Sequence, residues 1–237
     1  MIDLEGAVKM SYEDNNHWVE ETLKDWDVDL IGFADLSEID TEARHGFKYG
    51  ISIAIKLKVL PSTTSEASRE FHDFFTESNV RLREMSIFLA DTIKKRGFDA
   101  FSLSFDKINP DNYSAALPYK TLATRAGLGW IGRSACLVTK EYGSAVRITG
   151  VLTDMPFETG TPVNSSSCGE CMECVKLCPG KAITGKKWDL QTKRDELLIP
   201  INCRKATLER GEPLGVTSGS CGMCVAVCSY TKKSTLL

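Results

Sequence analysis

Long apolar runs and an excess of basic residues are both missing from this sequence. No apolar segment approaches the roughly 20 residues that a membrane-spanning helix requires. The chain begins MIDLEGAVKMSYEDNN, with acidic residues where a secretory signal peptide carries basic ones. Its 29 Lys and Arg against 32 Asp and Glu give a net charge of −3, which disfavours a protein built mainly to bind nucleic acid. We therefore expect a cytoplasmic protein with no membrane partner.

Histidine is scarce as well. His17, His45 and His72 are scattered along the chain, and we interpret each as a surface or packing residue rather than a metal ligand. The 237 residues are 42% hydrophobic and 26% charged, which is ordinary for a globular protein. This length is sufficient for one large domain or two small ones.

Cysteine, by contrast, is abundant and concentrated at one end. Cys136 stands alone, and we interpret it as a buried inert thiol, the alternative being a thiol that faces a cofactor pocket. In a chain without a signal peptide, clustered cysteines favour metal binding over disulfides. The other eight cysteines lie in the last 70 residues, at Cys168, Cys171, Cys174, Cys178, Cys203, Cys221, Cys224 and Cys228.

The first four of these eight have the spacing of a bacterial ferredoxin. Residues 168–179 read C-x2-C-x2-C-x3-C-P, in which three cysteines wrap one [4Fe–4S] cubane and the fourth, Cys178, points to a second cluster. Pro179 suits the following turn because proline fixes φ and needs no amide partner. The crossed ligation of two-cluster ferredoxins assigns all eight without remainder. One cubane takes Cys168, Cys171, Cys174 and Cys228, and the other takes Cys178, Cys203, Cys221 and Cys224.

Two other interpretations of the cysteines stay open. Structural zinc usually joins two C-x2-C pairs, and a triple run followed by C-P is unusual for it. A disulfide framework is rare in a cytosolic chain. One departure from the ferredoxin pattern is Ser229, which follows Cys228 where proline is often found and removes no ligand. We predict two [4Fe–4S] clusters and hence one-electron transfer.

The first 160 residues predict alternating helices and strands, so we expect an α/β (α+β) fold. The clearest helix begins at a capping box of Thr63 and Glu66 and ends at Gly97. Its apolar residues recur at helical period and are assigned to the core: Phe71, Phe74, Phe75, Leu82, Met85, Leu89 and Ile93. Further helices are predicted over 17–25 and 119–125, and strands over 28–36, 50–60, 98–105, 135–139 and 145–153. The turn-rich segment 159–167 is a predicted linker between an α/β domain, 1–160, and a ferredoxin-like two-cluster domain, 161–237.

A glycine-rich loop lies between a predicted helix and a predicted strand. Gly127-Leu-Gly129-Trp-Ile-Gly132 matches G-x-G-x-x-G, but a dinucleotide fingerprint follows a strand and opens a helix, which is the reverse order. One interpretation is a tight turn with close backbone packing. The other is a cofactor-binding loop, whose backbone at the three glycines lies against a flat cofactor with Trp130 and Arg133 at its edge.

The chain resembles a known family in residues 117–154, LPYKTLATRAGLGWIGRSACLVTKEYGSAVRITGVLTD, followed by the two cysteine groups in this order. The family is the epoxyqueuosine reductases, whose wider relatives are the cobalamin-dependent reductive dehalogenases. The resemblance covers most of the chain and is most specific from about Ala126 onward. It implies a cobalamin-binding-like domain that receives electrons from the ferredoxin-like module, with a carboxylic acid as proton donor. No D-x-H-x-x-G run is present, so a histidine lower ligand from that motif is not implied.

Two departures from the family pattern bear on the chemistry. The slot of the family's proton-donating aspartate holds Tyr113, followed by Ser114, with Asp111 nearby. We predict Tyr113 as the catalytic proton donor, the alternative being a surface residue. Family members also carry a helical-repeat region after the clusters, whereas this sequence ends at Leu237, so we expect a short form. Together with the negative net charge, this argues against a tRNA substrate.

The resulting hypothesis is an iron–sulfur reductase that acts on a small molecule, with cobalamin as a candidate cofactor. Its expected partner is a low-potential electron donor of the ferredoxin or flavodoxin type. Two alternatives are a non-catalytic electron-transfer protein and a reductive activator of a partner corrinoid protein. Arg125 and Arg133 are candidates to meet corrin amides or an anionic substrate, and Lys232 and Lys233 to dock an acidic donor; plain surface charge is the alternative for each pair.

Overall fold

A computed structural model describes residues 12–106, 108–109, 111, 114–216 and 221–234 of the chain. The α-helices are α1 (Tyr12–Leu23), α2 (Arg69–Lys95), α3 (Tyr119–Arg125), α4 (Glu173–Lys176), α5 (Arg194–Leu197), α6 (Pro200–Gly211), α7 (Met223–Ala226) and α8 (Ser229–Ser234). The strands are β1 (Leu30–Asp35), β2 (Tyr49–Lys56), β3 (Ala100–Ser102), β4 (Trp130–Ile131), β5 (Leu137–Val138) and β6 (Val146–Thr153). Within these described ranges, no helix is both long enough and apolar enough to span a bilayer.

Four of the strands form one sheet in the order β1-β2-β6-β3. Every pairing in it is antiparallel, and β2 pairs with β6 along its whole length, from Tyr49 opposite Thr153 to Lys56 opposite Val146. β4 and β5 form a separate antiparallel pair. The prediction of a mixed helix and sheet fold is confirmed, and the antiparallel ladder makes it the α+β form, because no helix connects parallel neighbours.

One face of the sheet packs against the long helix α2. Ile51 and Ile53 of β2 share a fully buried cluster with Met85, Leu89 and Ile93 of α2. These helix residues were predicted to be core from their helical period, and each contributes roughly 1.5–3 kcal/mol by leaving water. This cluster is the main apolar core of the sheet domain.

The opposite face of the sheet carries α3 at very short range, because glycines face it. The side chain of Leu122 in α3 lies directly over Gly50 of β2 and Gly150 of β6. A Cβ added at either glycine would collide with the methyl groups of Leu122. Gly32 of β1 leaves room in the same way for Leu128. The glycines thus fix the position of α3, which supplies several residues of the site described below.

The predicted capping box at the start of α2 is wrong. The helix begins at Arg69, and Ser68 is its N-cap, with an Oγ that accepts a hydrogen bond from Phe71 N at 3.2 Å. The segment around Thr63 is held outside the helix because its carbonyls are already occupied. The guanidinium of the buried Arg210 donates to the carbonyls of Ser62, Thr64 and Glu66.

Other boundaries differ in ways that local contacts explain. The predicted helix over 119–125 is confirmed residue for residue in α3. β3 is only three residues long, because Ser102 caps a 3-10 turn, Leu103–Phe105, by accepting from Ser104 N at 3.2 Å. β5 starts at Leu137 rather than at 135, because Ala135 has a φ of 58° in a turn that precedes it.

The cysteine module is built from short helices. α4 and α7 each begin two residues after a cysteine and pack against each other. The segment 159–167 that leads into the module has no regular structure but lies along the sheet domain. Gly160 N donates to Phe33 O at 2.8 Å, and Val163 N donates to Thr124 O at 2.9 Å. The division at residue 160 stays a prediction.

The glycine contacts of α3 generate a stability test. We expect Gly150→Ala to destabilise the protein by about 1–3 kcal/mol, because the new methyl forces Leu122 from its position. The measurement is the free energy of unfolding in urea. The cost of the same substitution should fall in a Leu122→Ala background, where the collision is gone; an equal cost in both backgrounds would contradict this account of the packing.

Candidate functional site

The structure gathers eight of the cysteines into two sets. All nine are free, half-buried thiols. Cys174 interacts electrostatically with Cys168, Cys171 and Cys228, and we call these four the outer set. Cys203 interacts with Cys178 and Cys221, and Cys224 with Cys203 and Cys221; these four are the inner set. Cys178 and Cys228 are exchanged between the two sequence runs, as in crossed ligation. Because Cys136 acts on Cys174 and Cys203 as well, the assignment of the ligands stays a prediction.

Thiols packed this closely resist ionisation in the metal-free chain. Burial, followed by the neighbouring Cys168 and Cys228, raises the pKa of Cys174 to about 12. Burial, followed by nearby thiols, also raises the pKa of Cys203. Thiolates are the form that binds iron, so cluster binding must displace these protons, and the positive charge of iron then holds the sulfurs ionised.

The backbone of the module already directs an amide at a cysteine sulfur. Ala182 N donates to Cys178 Sγ at 3.2 Å, in the turn after Pro179. Amide hydrogen bonds to the ligand sulfurs are a normal feature of iron–sulfur sites and influence their potentials. The Cys-Pro turn therefore supplies a hydrogen bond to an inner-set sulfur.

The glycine loop lies against the outer set. A Cβ added at Gly132 would meet Val138 Cγ2 at 2.8 Å and Cys168 Sγ at 3.5 Å. A Cβ at Gly129 would collide with the backbone of β5 at Val138, and Gly127 has a φ of 77° with Thr161 O beside it. The interpretation as a tight turn with close backbone packing is confirmed.

Trp130 and Arg133 fasten this loop to the outer set. Trp130 is buried in a cluster that includes Cys168 and Cys228, and it packs edge-on against Tyr230 with ring centroids 4.9 Å apart. Its indole Nε1 is buried with no acceptor among the described residues, and cluster sulfur in the outer set would provide one. The buried Arg133 donates from Nη2 to Gly169 O at 2.9 Å, in the loop after Cys168, and from Nη1 to Gly185 O.

None of Gly127, Gly129, Trp130, Gly132 and Arg133 belongs to the wall of the large cavity formed by the described residues. A role for these five in holding a flat cofactor stays a prediction. Their contacts give them a different task, which is to join the sheet domain to the outer cysteines.

A cavity of about 1130 Å³ lies between the sheet domain and the cysteine module. It exceeds the roughly 300–1,000 Å³ typical of small-molecule sites. The sheet domain contributes side chains from α2, α3 and β6, and the module contributes the whole inner set of cysteines. No outer-set cysteine is among the described residues that line it. The inner set is therefore the one that adjoins the cavity.

Two half-buried cations line this cavity close to Cys136. Lys120 of α3 donates to Ala135 O at 2.5 Å, and burial lowers its pKa. Arg147 of β6 stacks 3.9 Å from the ring centroid of Phe75, and burial lowers its pKa to about 10. Its Nε has no acceptor among the described residues. These cations give the cavity a positive wall.

Arg125 is tied to the linker. It is buried, and its Nη2 donates to Val163 O at 2.7 Å and to Asn164 Oδ1 at 2.6 Å. Burial lowers its pKa. Both arginines beside the glycine loop, Arg125 and Arg133, are thus buried connectors rather than surface charges.

An acid on the cavity wall was missed by the sequence analysis. The side chain of Asp106 is 8% exposed, and its Oδ1 lies 2.7 Å from Nε2 of His45, whose side chain is 36% exposed. Asp106 Oδ2 is buried and has no partner among the described residues. His45 has a φ of 51° and stacks on Phe101 with centroids 4.4 Å apart. The two residues are 61 positions apart in sequence, and no motif joins them.

Cys136 lines the cavity together with the inner set, so its thiol faces that cavity rather than a closed apolar core. In the metal-free chain the nearby Cys224 and Lys120 lower the pKa of Cys136, and Cys136 raises the pKa of Cys224. Iron reverses this preference, because a Cys224 bound to iron has already lost its proton.

The predicted proton donor, Tyr113, lies outside the described residues. Its neighbour Ser114 lines the cavity, whereas Asp111 is exposed and does not. The described residues that follow Tyr113 in sequence, Ser114 and Ala115, thus line the cavity.

Comparisons with known proteins agree with this site. Residues 167–231 match a family model described as a 4Fe-4S double cluster binding domain. Epoxyqueuosine reductase of Escherichia coli (strain K12) is 27% identical over 223 residues, which cover 84% of this chain and 56% of that protein. The chain thus spans just over half the length of this curated relative.

Solved structures share the fold. An epoxyqueuosine reductase solved with an epoxyqueuosine-modified tRNA-Tyr stem loop superposes with a TM-score of 0.59 at 22% identity, over 93% of this chain and 66% of that one. A reductive dehalogenase whose structure suggests a mechanism for B12-dependent dehalogenation gives 0.57 at 13% identity, over 94% and 39%. The likeness extends across both the sheet domain and the cysteine module.

The two thiol sets generate a test of crossed ligation. We expect the double variant Cys171→Ala/Cys228→Ala to keep about four irons per chain, because both removed thiols belong to the outer set. Cys171→Ala/Cys178→Ala should lose nearly all iron, because it damages both sets. The measurement is iron content after anaerobic reconstitution. Since each variant lacks two thiols, they are matched controls, and the reverse pattern would contradict the crossed assignment.

Proposed function

From the premise that this chain is an epoxyqueuosine reductase-like iron–sulfur protein, we propose that it is a reductase that acts on a small molecule bound in the cavity. One observation carries the proposal: the inner set of cysteines lines the same cavity as the half-buried Lys120 and Arg147 and the acid Asp106 of the sheet domain. A cluster held by the inner set, the positive charges of Lys120 and Arg147, and the carboxyl group of Asp106 would then all face the same cavity. The outer set lies on the far side, where an electron donor docks.

A corrinoid is the candidate cofactor of the cavity. The volume of about 1130 Å³ suits a ligand of that size, and side chains Thr121, Thr124 and Ile148 form part of the wall. When bound, a corrinoid supplies low-valent cobalt chemistry toward an organic substrate. The chain's own part is to orient the ligand between α3 and β6, to exclude water and to keep Lys120 and Arg147 against negative groups.

Two side chains are candidates for delivering the proton that the reduction consumes. Tyr113 has the family's position, as predicted from the sequence. Asp106 is supported by its place on the cavity wall and by its unpartnered Oδ2. Its Oδ1 contacts His45, which reaches solvent and can restore a proton after each turnover.

The electron donor of the proposal is a low-potential ferredoxin or flavodoxin. α8 follows Cys228 of the outer set and carries Lys232 and Lys233, and Lys233 lies 5.6 Å from the ring centroid of Tyr230. These cations adjoin the outer set and would attract an acidic partner. The module thus offers a basic docking edge beside the cluster that is farther from the cavity.

We propose a small-molecule substrate because of the enclosed cavity, and the net charge of the sequence does not decide between a nucleoside and tRNA. A relative has been solved with a tRNA stem loop, so an epoxyqueuosine-modified stem loop and the free nucleoside are the pair of substrates to compare. If tRNA is not the substrate, as the sequence led us to expect, only the free nucleoside is turned over. Turnover of the stem loop alone would show that the substrate is tRNA and that this expectation is wrong.

The corrinoid part of the proposal is tested by blocking the cavity. We expect Thr121→Trp to weaken cobalamin binding about tenfold or more, because Thr121 lines the cavity. Thr76→Trp, at an exposed position of α2, is the matched control. The measurement is cobalamin retained on anaerobic gel filtration with both clusters intact. If the unmodified protein retains no cobalamin, the reductase proposal gives way to a non-catalytic electron-transfer protein or a reductive activator. Copurification of a corrinoid protein would favour the activator.

The proton donor is tested by two conservative substitutions. We expect Asp106→Asn to slow the reduction step by roughly 10²–10⁴-fold if Asp106 is the acid, and Tyr113→Phe to do so if the tyrosine is. The measurement is the single-turnover rate with epoxyqueuosine nucleoside, with the rate of cluster reduction as control. Unchanged turnover in either variant excludes that residue as the donor.

A further inference from the structure

We propose that Arg147, together with Arg83 and Thr149, binds an oxyanion, a phosphate or carboxylate group of the ligand that occupies the cavity. All three residues line the cavity wall. The inference rests on the proposed function, because it assigns a negative charge to the small molecule that the cavity takes up. Such a group is present both on acidic substrates and in the nucleotide loop of cobalamin, and binding experiments separate these two sources.

Two contacts with α2 hold Arg147 at the cavity wall. Its guanidinium stacks on Phe75, with Cζ 3.9 Å from the ring centroid, and its Nη2 donates to Oδ1 of Asn79. Its Nε is buried and has no acceptor among the described residues. The aromatic ring and the amide fix the orientation of the guanidinium before any ligand arrives, and they leave a donor for that ligand.

Thr149 places a second unused polar group on the same face of β6. It follows Arg147 by two residues in the strand, so both side chains project from one face. Its Oγ1 is buried and has no hydrogen-bond partner within the described part of the chain. Because buried polar groups in native proteins are nearly always hydrogen-bonded, two orphaned groups side by side at a cavity indicate a ligand that supplies acceptors.

Arg83 adds a second positive charge beside Asn79. The two residues are four positions apart in α2 and are therefore neighbours on one face of the helix. Arg83 is exposed and also lines the cavity, so it lies at the rim. Over the ranges that the structure describes, neither Arg83 nor Arg147 forms an ion pair with a carboxylate. Such arginines favour an oxyanion, because guanidinium groups bind phosphate and carboxylate through parallel, charge-assisted hydrogen bonds.

The test is calorimetric titration of the anaerobically reconstituted protein with inorganic phosphate and with benzoate. Benzamide, the neutral isostere of benzoate, is the control for apolar binding. Arg147→Met removes the charge, and Arg147→Lys keeps the charge but loses the planar fork of donors. Arg83→Met removes the charge at the rim. Its matched control is Lys95→Met, because Lys95 is an exposed cation of α2 that does not line the cavity.

We expect the unmodified protein to bind at least one of the two anions more tightly than benzamide. Arg147→Met should weaken that binding about tenfold or more, Arg147→Lys and Arg83→Met by a smaller factor, and Lys95→Met not at all. If Arg147→Met loses its iron, Arg83→Met at its exposed position decides the question. Two results would overturn the inference. One is that neither anion binds more tightly than benzamide. The other is binding that is unchanged in Arg147→Met and Arg83→Met, since the arginines would then only balance the charge of the clusters.

Retention of cobalamin and of cobinamide on anaerobic gel filtration separates the two sources of the oxyanion. Cobinamide lacks the nucleotide loop and therefore its phosphate. If the group belongs to the corrinoid, Arg147→Met weakens the binding of cobalamin more than that of cobinamide. If the group belongs to the substrate, Arg147→Met retains both corrinoids as the unmodified protein does. An unmodified protein that retains neither corrinoid but binds phosphate or benzoate through Arg147 would contradict the corrinoid part of the proposed function and support the anion site.

Discussion

Mutual repulsion of thiolates is the constraint on which the rest of this structure depends. Four sulfurs share each small site, and in the metal-free chain burial and neighbouring sulfurs raise the pKa of Cys174 to about 12. Iron, with its positive charge, relieves this repulsion, so the fold of the module and its metal content are coupled. The cations and donors around the sulfurs then have a common purpose, which is to compensate negative charge that the clusters concentrate.

One short segment of the sheet domain, residues 127–136, reaches both cysteine sets. In its middle, Gly132 lies against Cys168 and Arg133 donates to the loop that follows Cys168. At its end, Cys136 lines the cavity together with the inner set. The helix before this segment, α3, supplies Lys120 at the cavity and is itself placed by glycines of the sheet. Sheet packing thus determines where charge lies around the inner set.

Local patterns in the sequence predicted the features that depend on local contacts. The spacing of the cysteines indicated which thiols group together, and helical period placed Met85 and Leu89 in the core. Features that arise from distant contacts were missed. Arg210 keeps the segment around Thr63 out of α2, although they are far apart in sequence. His45 contacts Asp106 although the two residues are 61 positions apart in sequence, and no sequence pattern predicts this contact.

The glycine loop shows how a motif can be located correctly while its contacts remain unknown. Its order after a helix and before a strand excluded a dinucleotide site, and the structure has that order. Which surface its backbone approaches depends on β5 and on Cys168, and both lie outside the motif. Likewise, Cys136 was identified as an isolated cysteine, but only the tertiary fold brings it to the cavity that the inner set also lines.

The most direct test of the account is the iron content and spectrum of the unmodified protein prepared without oxygen. We predict a brown protein with about eight irons per chain whose reduced form shows two magnetically interacting [4Fe–4S] centres, as neighbouring cubanes with exchanged ligands require. A colourless protein, or one that binds a single zinc in place of iron, would contradict the central claim.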